Sequence, residues 1–381
     1  MDGEKYPDRT RHVPGGRIIA NMMKFKIVAI LFVVSLTACK RYSEDEGLSI
    51  FRYNEAAGIT SMDPAYARDL ANIWACNQIF DGLVKLNDDL GVEPSVARSW
   101  EISEDGLTYT FTLRNDVYFH PDEAFAEKNG RKVTAHDFEY SFYRILNPEL
   151  AVPGAWVFNN VADNGFLALN DSCFIIQLEQ PFMPFLGLLS MQYCNVVPQE
   201  VVAYYGKDFR KHPVGCGPFQ FKYWKEGVKL VLHRNPRYYE QDEEGTSLPY
   251  LDAVAVTFLI DKQSAFLQFV QGKIDFLSGI DASYKDELLT PEGRLNPAYA
   301  DKIYLLREPY LNTEYLGIMV DTSMHEPEYN PLKNKLIRQA INVGFDRVKM
   351  MRYLRNNIGI PGHGGIIPAG MPAFDQDMSY G

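Results

Sequence analysis

Along this chain the apolar positions alternate between two periods. From Leu107 to Leu113, Tyr109, Phe111 and Leu113 alternate with Thr108, Thr110 and Thr112, the two-residue period of a half-buried strand. The same alternation appears at Leu48–Tyr53, Cys173–Leu178 and Val228–Leu232, and Val254–Ile260, Leu83–Leu86 and a start at Ile274–Phe276 also read as strands. Between them the period lengthens. Leu70 to Phe80 places Ile73, Trp74, Asn77 and Phe80 at helical spacing and stops at Asp81-Gly82. Thr134 is a helix N-cap with Asp137 three residues on, and Phe138, Phe142 and Ile145 follow on one face. A helix over Gln263–Gln271 turns Phe266, Phe269 and Val270 inward and closes at Gly272; a further one within Leu332–Tyr353 carries Leu336, Ala340 and Ile341 on one face. Strands and helices mingle without a repeat, which predicts a mixed α/β (α+β) chain with at least two cores.

One apolar run fits neither period. Ile27–Leu36 is broken only by Ser35, follows Lys24 and Lys26, and leads into Leu36-Thr37-Ala38-Cys39. It is too short to span a bilayer, which needs about 20 residues, and fits the apolar region of a signal peptide over residues 1–38. L-T-A-C resembles a lipobox, so lipidation is expected at Cys39, with Ser43–Gly47 as a polar tether. Residues 1–21 are polar and would make an unusually long leader, so Met22 or Met23 is the expected start.

Composition narrows the class. The 381 residues are 46% hydrophobic, enough for more than one core, and carry a net charge of −11. The leader holds six Lys or Arg against three acids, a charge of +3, which leaves −14 for the remainder. That remainder has no basic block, which disfavours nucleic-acid binding. Beyond Cys39, the thiols Cys76, Cys173, Cys194 and Cys216 permit three full disulfide pairings, and spacing selects none. There is no C-x-x-C, the seven His are scattered, and neither a metal site nor a cofactor is expected.

Nine segments in order carry a family resemblance: S-M-D-P (Ser61–Pro64), I-F-D-G-L (Ile79–Leu83), P-S-V-A-R-S-W (Pro94–Trp100), D-G-L-T-Y-T-F-T-L-R (Asp105–Arg114), V-T-A-H-D-F-E-Y-S-F-Y-R (Val133–Arg144), G-C-G-P-F (Gly215–Phe219), R-N-P-R-Y-Y (Arg234–Tyr239), G-K-I-D (Gly272–Asp275) and I-R-Q-A-I-N-V-G-F-D-R (Ile337–Arg347). Together they resemble the oligopeptide/dipeptide/nickel solute-binding family of ABC importers, family 5. The resemblance implies a two-lobed periplasmic-binding-protein-like clamp: lobe one from residues 43–90 and 163–250, an inserted small domain at 91–162, and part of lobe two at 251–381. Family members continue past the point matching Gly381, so a fragment is expected. A monomer is expected, with an ABC permease and ATPase subunits as partners, the membrane reached through the lipid, and an extracytoplasmic location. Peptides are the expected ligands; a nickel chelate, haem or an oligosaccharide are the alternatives.

By position in the matching motifs, Gly58, Ile59, Thr60 and Ser61 face the cleft, as do Tyr193, Cys194 and Asn195, and Gly215, Cys216 and Gly217; lobe two adds Tyr310, Asn312 and Tyr315. Glycines admit close approach of ligand backbone, tyrosines offer apolar faces with a polar tip, and an extended peptide pairs with protein main chain. Ordinary packing is the competing account of each. Cys216 departs from the family's usual Thr or Asn, which alters the hydrogen bonding expected there. The resemblance places the Asp that usually holds a peptide's charged terminus in lobe two after the stretch matching this chain's end, so substrate choice stays open. His136-Asp137 reads as a helix start, and Gly362–Gly365 as a loop without the lysine of a phosphate cradle. A secreted hydrolase is the rival class, but the chain has no G-x-S-x-G and no H-E-x-x-H. A non-catalytic binding protein is therefore expected.

Overall fold

The computed structural model describes residues 47–308, 310–320, 330–375, 377 and 378. The leader, Cys39 and most of the polar tether lie outside the described residues. The chain divides into a unit Met1–Leu48, of which Gly47 and Leu48 are described and both exposed, and a unit Ser49–Gly381.

Among the described residues, ten strands build the second unit: β1 (Ile50–Asn54), β2 (Val84–Leu86), β3 (Val92–Pro94), β4 (Ala97–Ile102), β5 (Thr108–Leu113), β6 (Val161–Asn170), β7 (Cys173–Leu178), β8 (Phe219–Lys225), β9 (Lys229–Arg234) and β10 (Ala253–Thr257). They form a sheet ordered β1-β10-β9-β8, a hairpin β2-β3, and an antiparallel sheet ordered β4-β5-β7-β6. In the first sheet β1 runs parallel to β10, with Ile50 opposite Ala253 and Asn54 opposite Thr257, and the other pairings are antiparallel.

After β10 the chain crosses over through the helix Lys262–Val270, whose N-cap Asp261 accepts from the Ser264 amide at 2.7 Å. Gly272, at φ 69°, turns it back. The amides of Asp275 and Phe276 then reach the Arg52 carbonyl at 2.7 and 3.3 Å, and Phe276 bridges Tyr53 in parallel. This β–α–β crossover covers the free edge of β1.

The four-stranded antiparallel sheet is covered by the helix Ala135–Leu146. Its start is the expected one: the Thr134 amide donates to Asp137 at 2.8 Å, while Arg131 forks onto the same carboxylate at 2.8 and 2.6 Å. Phe142 is fully buried, with ring centroids of Phe158, Phe166 and Phe174 at 4.8, 5.2 and 5.6 Å. This core is continuous with the one under the first sheet, and a second, smaller cluster gathers Phe266, Tyr284, Leu288 and Leu289.

Strand pairing crosses the boundaries expected from the resemblance at 162/163 and 250/251. β6 and β7 complete the sheet begun by β4 and β5, so that sheet runs to Leu178, past residue 162. β10 lies between β1 and β9, so the first sheet runs past residue 250. The helix Leu70–Ile79 also faces otherwise than its larger apolar residues suggest. Ala71, Ala75, Cys76 and Ile79 are buried, because small side chains let this face approach the core closely, while Trp74 is exposed. In Lys262–Val270, Phe266 turns inward as expected, whereas Val270 is exposed. The helix Lys335–Gly344 leaves Leu336, Ile337 and Ile341 exposed. Among the described residues, no helix is long and apolar enough to cross a membrane.

Truncating the best-packed ring tests the core. Phe142→Ala is expected to cost about 3–5 kcal/mol through lost burial and the cavity it leaves, read as a lower urea midpoint with the slope unchanged.

Candidate functional site

Three helix or sheet termini meet where β1 ends. The Glu55 amide still donates to the Thr257 carbonyl at 2.9 Å, and the chain then leaves the sheet. Gly58, at φ 74°, supplies the left-handed step that turns it, and a side chain there would meet open space, so backbone freedom alone calls for glycine. The next residues are held from two sides. Asn72 Oδ1 accepts from the amides of Thr60 and Ser61 at 2.9 and 3.4 Å, and its Nδ2 donates to Thr60 Oγ1 at 3.0 Å. Arg210 donates to the Thr60 carbonyl at 2.9 Å and accepts from the Met62 amide at 3.0 Å. Ile59, between these anchors, has its residue buried, yet its N–H and C=O make no hydrogen bond among the described residues. A buried main-chain pair without partners is uncommon; an added extended segment would satisfy it.

A cavity of about 250 Å³ opens at the same end of β1. Asn54, Glu55 and Ala56 line it from the strand end, Trp74 from the helix, Lys262 and Ala265 from the crossover, and the stretch 277–281 with Tyr284 closes it. Lys262 and Asp281 pair across it at 2.7 Å, which lowers the Asp281 carboxyl to about 2. Glu55 and Trp74 were not singled out by sequence, although Trp74 carried a signal: a large apolar residue opposite the alanines of its helix.

The other expected site residues fall elsewhere. Tyr193 and Cys194 belong to a buried 3₁₀ turn, Gln192–Cys194, and Asn195 follows, buried as well. The Tyr193 ring lies so close to Gly154 that a Cβ there would sit 2.3 Å from it, and the Asn195 side chain is 3.4 Å from where a Gly82 Cβ would be. Gly215 and Gly217 press on the C-terminal end of Leu70–Ile79. A Cβ on Gly215 would stand 2.1 Å from the Ile79 carbonyl oxygen, and the Gly217 amide donates to that oxygen at 2.9 Å. Cys216 between them is buried. Tyr310, Asn312 and Tyr315 lie exposed in an extended segment that forms no strand. Alternating side chains become strand core only beside a partner strand, and none pairs here among the described residues. Cys76, Cys173, Cys194 and Cys216 are free thiols.

Two titratable groups grip the G-C-G segment. Burial pushes the Asp81 carboxyl up to about 7, opposed by the hydrogen bond from Tyr239 Oη at 3.0 Å; Tyr239 in turn meets Ser95 Oγ at 3.0 Å. Burial lowers His120 to about 4, so its neutral ring donates from Nε2 to the Gly217 carbonyl at 2.9 Å. The burial of Cys216, with the Asp81 charge adding, holds that thiol well above its usual range. The His120 ring and the Cys216 thiol are thereby held in their neutral forms.

Comparison with known proteins places this architecture among solute-binding proteins. An oligopeptide-binding protein of Borrelia burgdorferi shares the fold at a TM-score of 0.65 and 22% identity, over 84% of this chain and 61% of that one. The ABC transporter-associated periplasmic binding protein DppA of Helicobacter pylori, solved with the peptide STSA, superposes at a TM-score of 0.56 with 28% identity, over 64% of this chain and 50% of that one. Residues 91–381 match the model for "Bacterial extracellular solute-binding proteins, family 5 Middle", and the chain belongs to that family. The dipeptide-binding protein DppE of Bacillus subtilis is 25% identical over 341 residues, 86% of this chain and 57% of DppE. The glutathione-binding protein GsiB of Salmonella typhi is 24% identical over 324 residues, 85% of this chain and 56% of GsiB. The chain thus spans little more than half the length of these curated relatives, which are binding proteins and not enzymes.

The two buried groups have opposite pH signatures. Asp81 binds a proton more tightly folded than unfolded, so its contribution is present below about pH 4 and lost as pH rises through about 7. His120 does the reverse, losing stability as pH falls from about 6.5 toward 4. Asp81→Asn keeps an acceptor for Tyr239 and leaves His120 in place. Relative to the wild type, its stability is expected to rise by roughly 1–3 kcal/mol between pH 5 and pH 8, at about 1.4 kcal/mol per pKa unit, read as a difference in thermal midpoint that grows with pH. Equal midpoints at both pH values would remove Asp81 as the titrating group.

Proposed function

We propose that this chain is the capture component of an ABC importer: a lipid-anchored, extracytoplasmic protein that takes up a peptide and delivers it to a permease driven by ATPase subunits. The observation that carries the ligand class is Ile59. Its main-chain donor and acceptor stand unbonded in a loop braced by Asn72 and Arg210, beside a cavity at the end of a parallel strand pair. Peptide main chain supplies the matching acceptor and donor, an arrangement that adds a strand to an existing edge. Cavity walls mixing Trp74 and Tyr284 with Glu55 and Lys262 suit a side chain and the waters around it. The relatives point the same way, since DppA was solved with a peptide and DppE is named for dipeptides.

Within this reading, lobe one holds the sheet β1-β10-β9-β8 with the crossover to Phe276, the inserted domain is drawn as 91–178, and lobe two begins after the crossover. Gly58–Ser61 pairs with the ligand. Tyr193, Cys194, Asn195, Gly215, Cys216 and Gly217 act from behind as its support, and Tyr310, Asn312 and Tyr315 belong to the facing lobe. Cys39 carries the lipid, and the protein works as a monomer.

Two measurements test the proposal. With a mixed tripeptide pool, the wild type is expected to gain several degrees in melting temperature and to return the peptides intact by mass spectrometry; hydrolysed peptides would point to the rival class, and no shift would remove peptides as ligands. Cys39→Ser is expected to move the expressed protein from the membrane fraction to the soluble extracytoplasmic fraction and to abolish palmitate labelling. Labelling that survives the substitution would place any lipid elsewhere.

A further inference from the structure

We propose that Arg144 is a positioning residue for the Gly58–Ser61 loop: through Asp63, the helix Ala135–Leu146 locks that loop in the form in which Ile59 offers its main-chain groups. This rests on the reading of the loop as the edge that pairs with peptide.

A segment that leaves a sheet and presents unbonded main chain needs external bracing, because nothing in its own backbone bonding fixes it. Two braces come from neighbours in the same body, Asn72 and Arg210. The third comes from the helix on the other sheet. Arg144 Nη1 and Nη2 donate to Asp63 Oδ1 and Oδ2 at 3.0 and 2.5 Å, a parallel two-bond fork. The two side chains are only 10% and 6% exposed, so salt screens the pair little. The guanidinium also lies 5.7 Å from the centre of the Phe209 ring, beside the turn that carries Arg210.

Asp63 passes this constraint in both directions along the chain. Its Oδ1 also accepts from the Ala65 amide at 3.1 Å and caps the turn Pro64–Tyr66. Its own amide donates to Ser61 Oγ at 3.1 Å, which ties the fork to the last residue of the loop. Downstream, Tyr66 Oη donates to the Leu150 carbonyl at 3.0 Å, just beyond the same helix, and Gln192 Nε2 donates to the Ala67 carbonyl at 2.6 Å. The loop is therefore indexed to the helix that caps the second sheet as well as to its own strand. Only a planar fork fixes the carboxylate in both position and orientation; an ammonium supplies charge without that geometry.

A merely structural pair and a positioning pair differ in what loosens when the fork is lost. The test is amide hydrogen exchange on the full chain for the wild type, Arg144→Lys, and the double variant Asp63→Asn/Arg144→Met, which removes both charges together. In Arg144→Lys the amides of Thr60, Ser61 and Met62 are expected to exchange about tenfold faster while those of β9 and β10 keep their rates. In parallel, tri-alanine binding by titration calorimetry is expected to weaken about tenfold in both variants. Loop amides that stay unchanged, or that speed up only as much as the two strands do, overturn the proposal. So does unchanged tri-alanine affinity with a loosened loop. A wild type that binds no tri-alanine counts against the peptide reading, and the exchange ratio between loop and strands then decides on Arg144 by itself.

Discussion

The parallel pairing of β1 with β10 is the constraint on which the rest of this structure depends. It joins segments about two hundred residues apart, and everything between them must leave and return to the same sheet. Closing so long a loop costs entropy, but the cost grows only slowly with length, and the pair is fixed by more than its ladder. Asp252 accepts from the Ser49 amide at 2.9 Å, and Asp275 from the Arg52 amide at 2.7 Å, so carboxylates on both sides secure the entry and the outer edge of β1. Once β1 is held between β10 and Phe276, its C-terminal end has one way out, into the Glu55–Ser61 loop. The cavity opens at that point because strand end, crossover helix and the returning stretch 277–281 converge there, as expected where a parallel connection leaves a crevice at strand ends.

How much of this was legible in the sequence depended on whether the signal was local. The Thr alternation of 108–113 gave β5, and the Thr134-x-x-Asp137 spacing gave a helix start that the structure shows bonded as expected. The short apolar run Ile274–Phe276 announced the crossover's return. What periodicity could not reveal was partnership. β6, whose ladder is interrupted by register shifts, has no clean alternation, and its pairing with β7 moves the edge of the second sheet beyond the limit set by motif order. Burial in Leu70–Ile79 was missed for a related reason. Periodicity weights large apolar residues, whereas this helix packs through Ala71, Ala75 and Cys76 and turns Trp74 to the cavity.

The glycines show why motif position and ligand contact are separate matters. Gly58 needs its conformation and has space around it. Gly215 and Gly217 have the opposite need, since the Ile79 carbonyl occupies the place a side chain would take. Gly215 and Gly217 lie in the G-C-G-P-F segment that resembles family 5 solute-binding proteins, yet it is Gly58, outside the nine segments, that has open space around it. The second kind packs against the C-terminal end of the helix whose first turn carries Asn72. Glycine therefore acts in two ways, at Gly58 by turning the chain in open space and at Gly215 and Gly217 by yielding space to the protein's own backbone.

The chemistry follows the same division. Groups that could react are withdrawn from reaction: Cys194 and Cys216 are buried with their thiols pushed up, the His120 ring is committed to the Gly217 carbonyl, and Asp81 to Tyr239. What stands without a hydrogen-bond partner among the described residues is the main chain of buried Ile59, near a cavity in which Lys262 and Asp281 pair with each other. On the proposed peptide reading, recognition through backbone groups uses the one feature all peptides share and leaves side chains to a roomy, mixed surface. Such a site gains nothing from an activated nucleophile. It gains from a backbone held still, which is the condition that the buried fork between Arg144 and Asp63, the Asn72 amide and the Ile79 carbonyl each enforce from a different element of the fold.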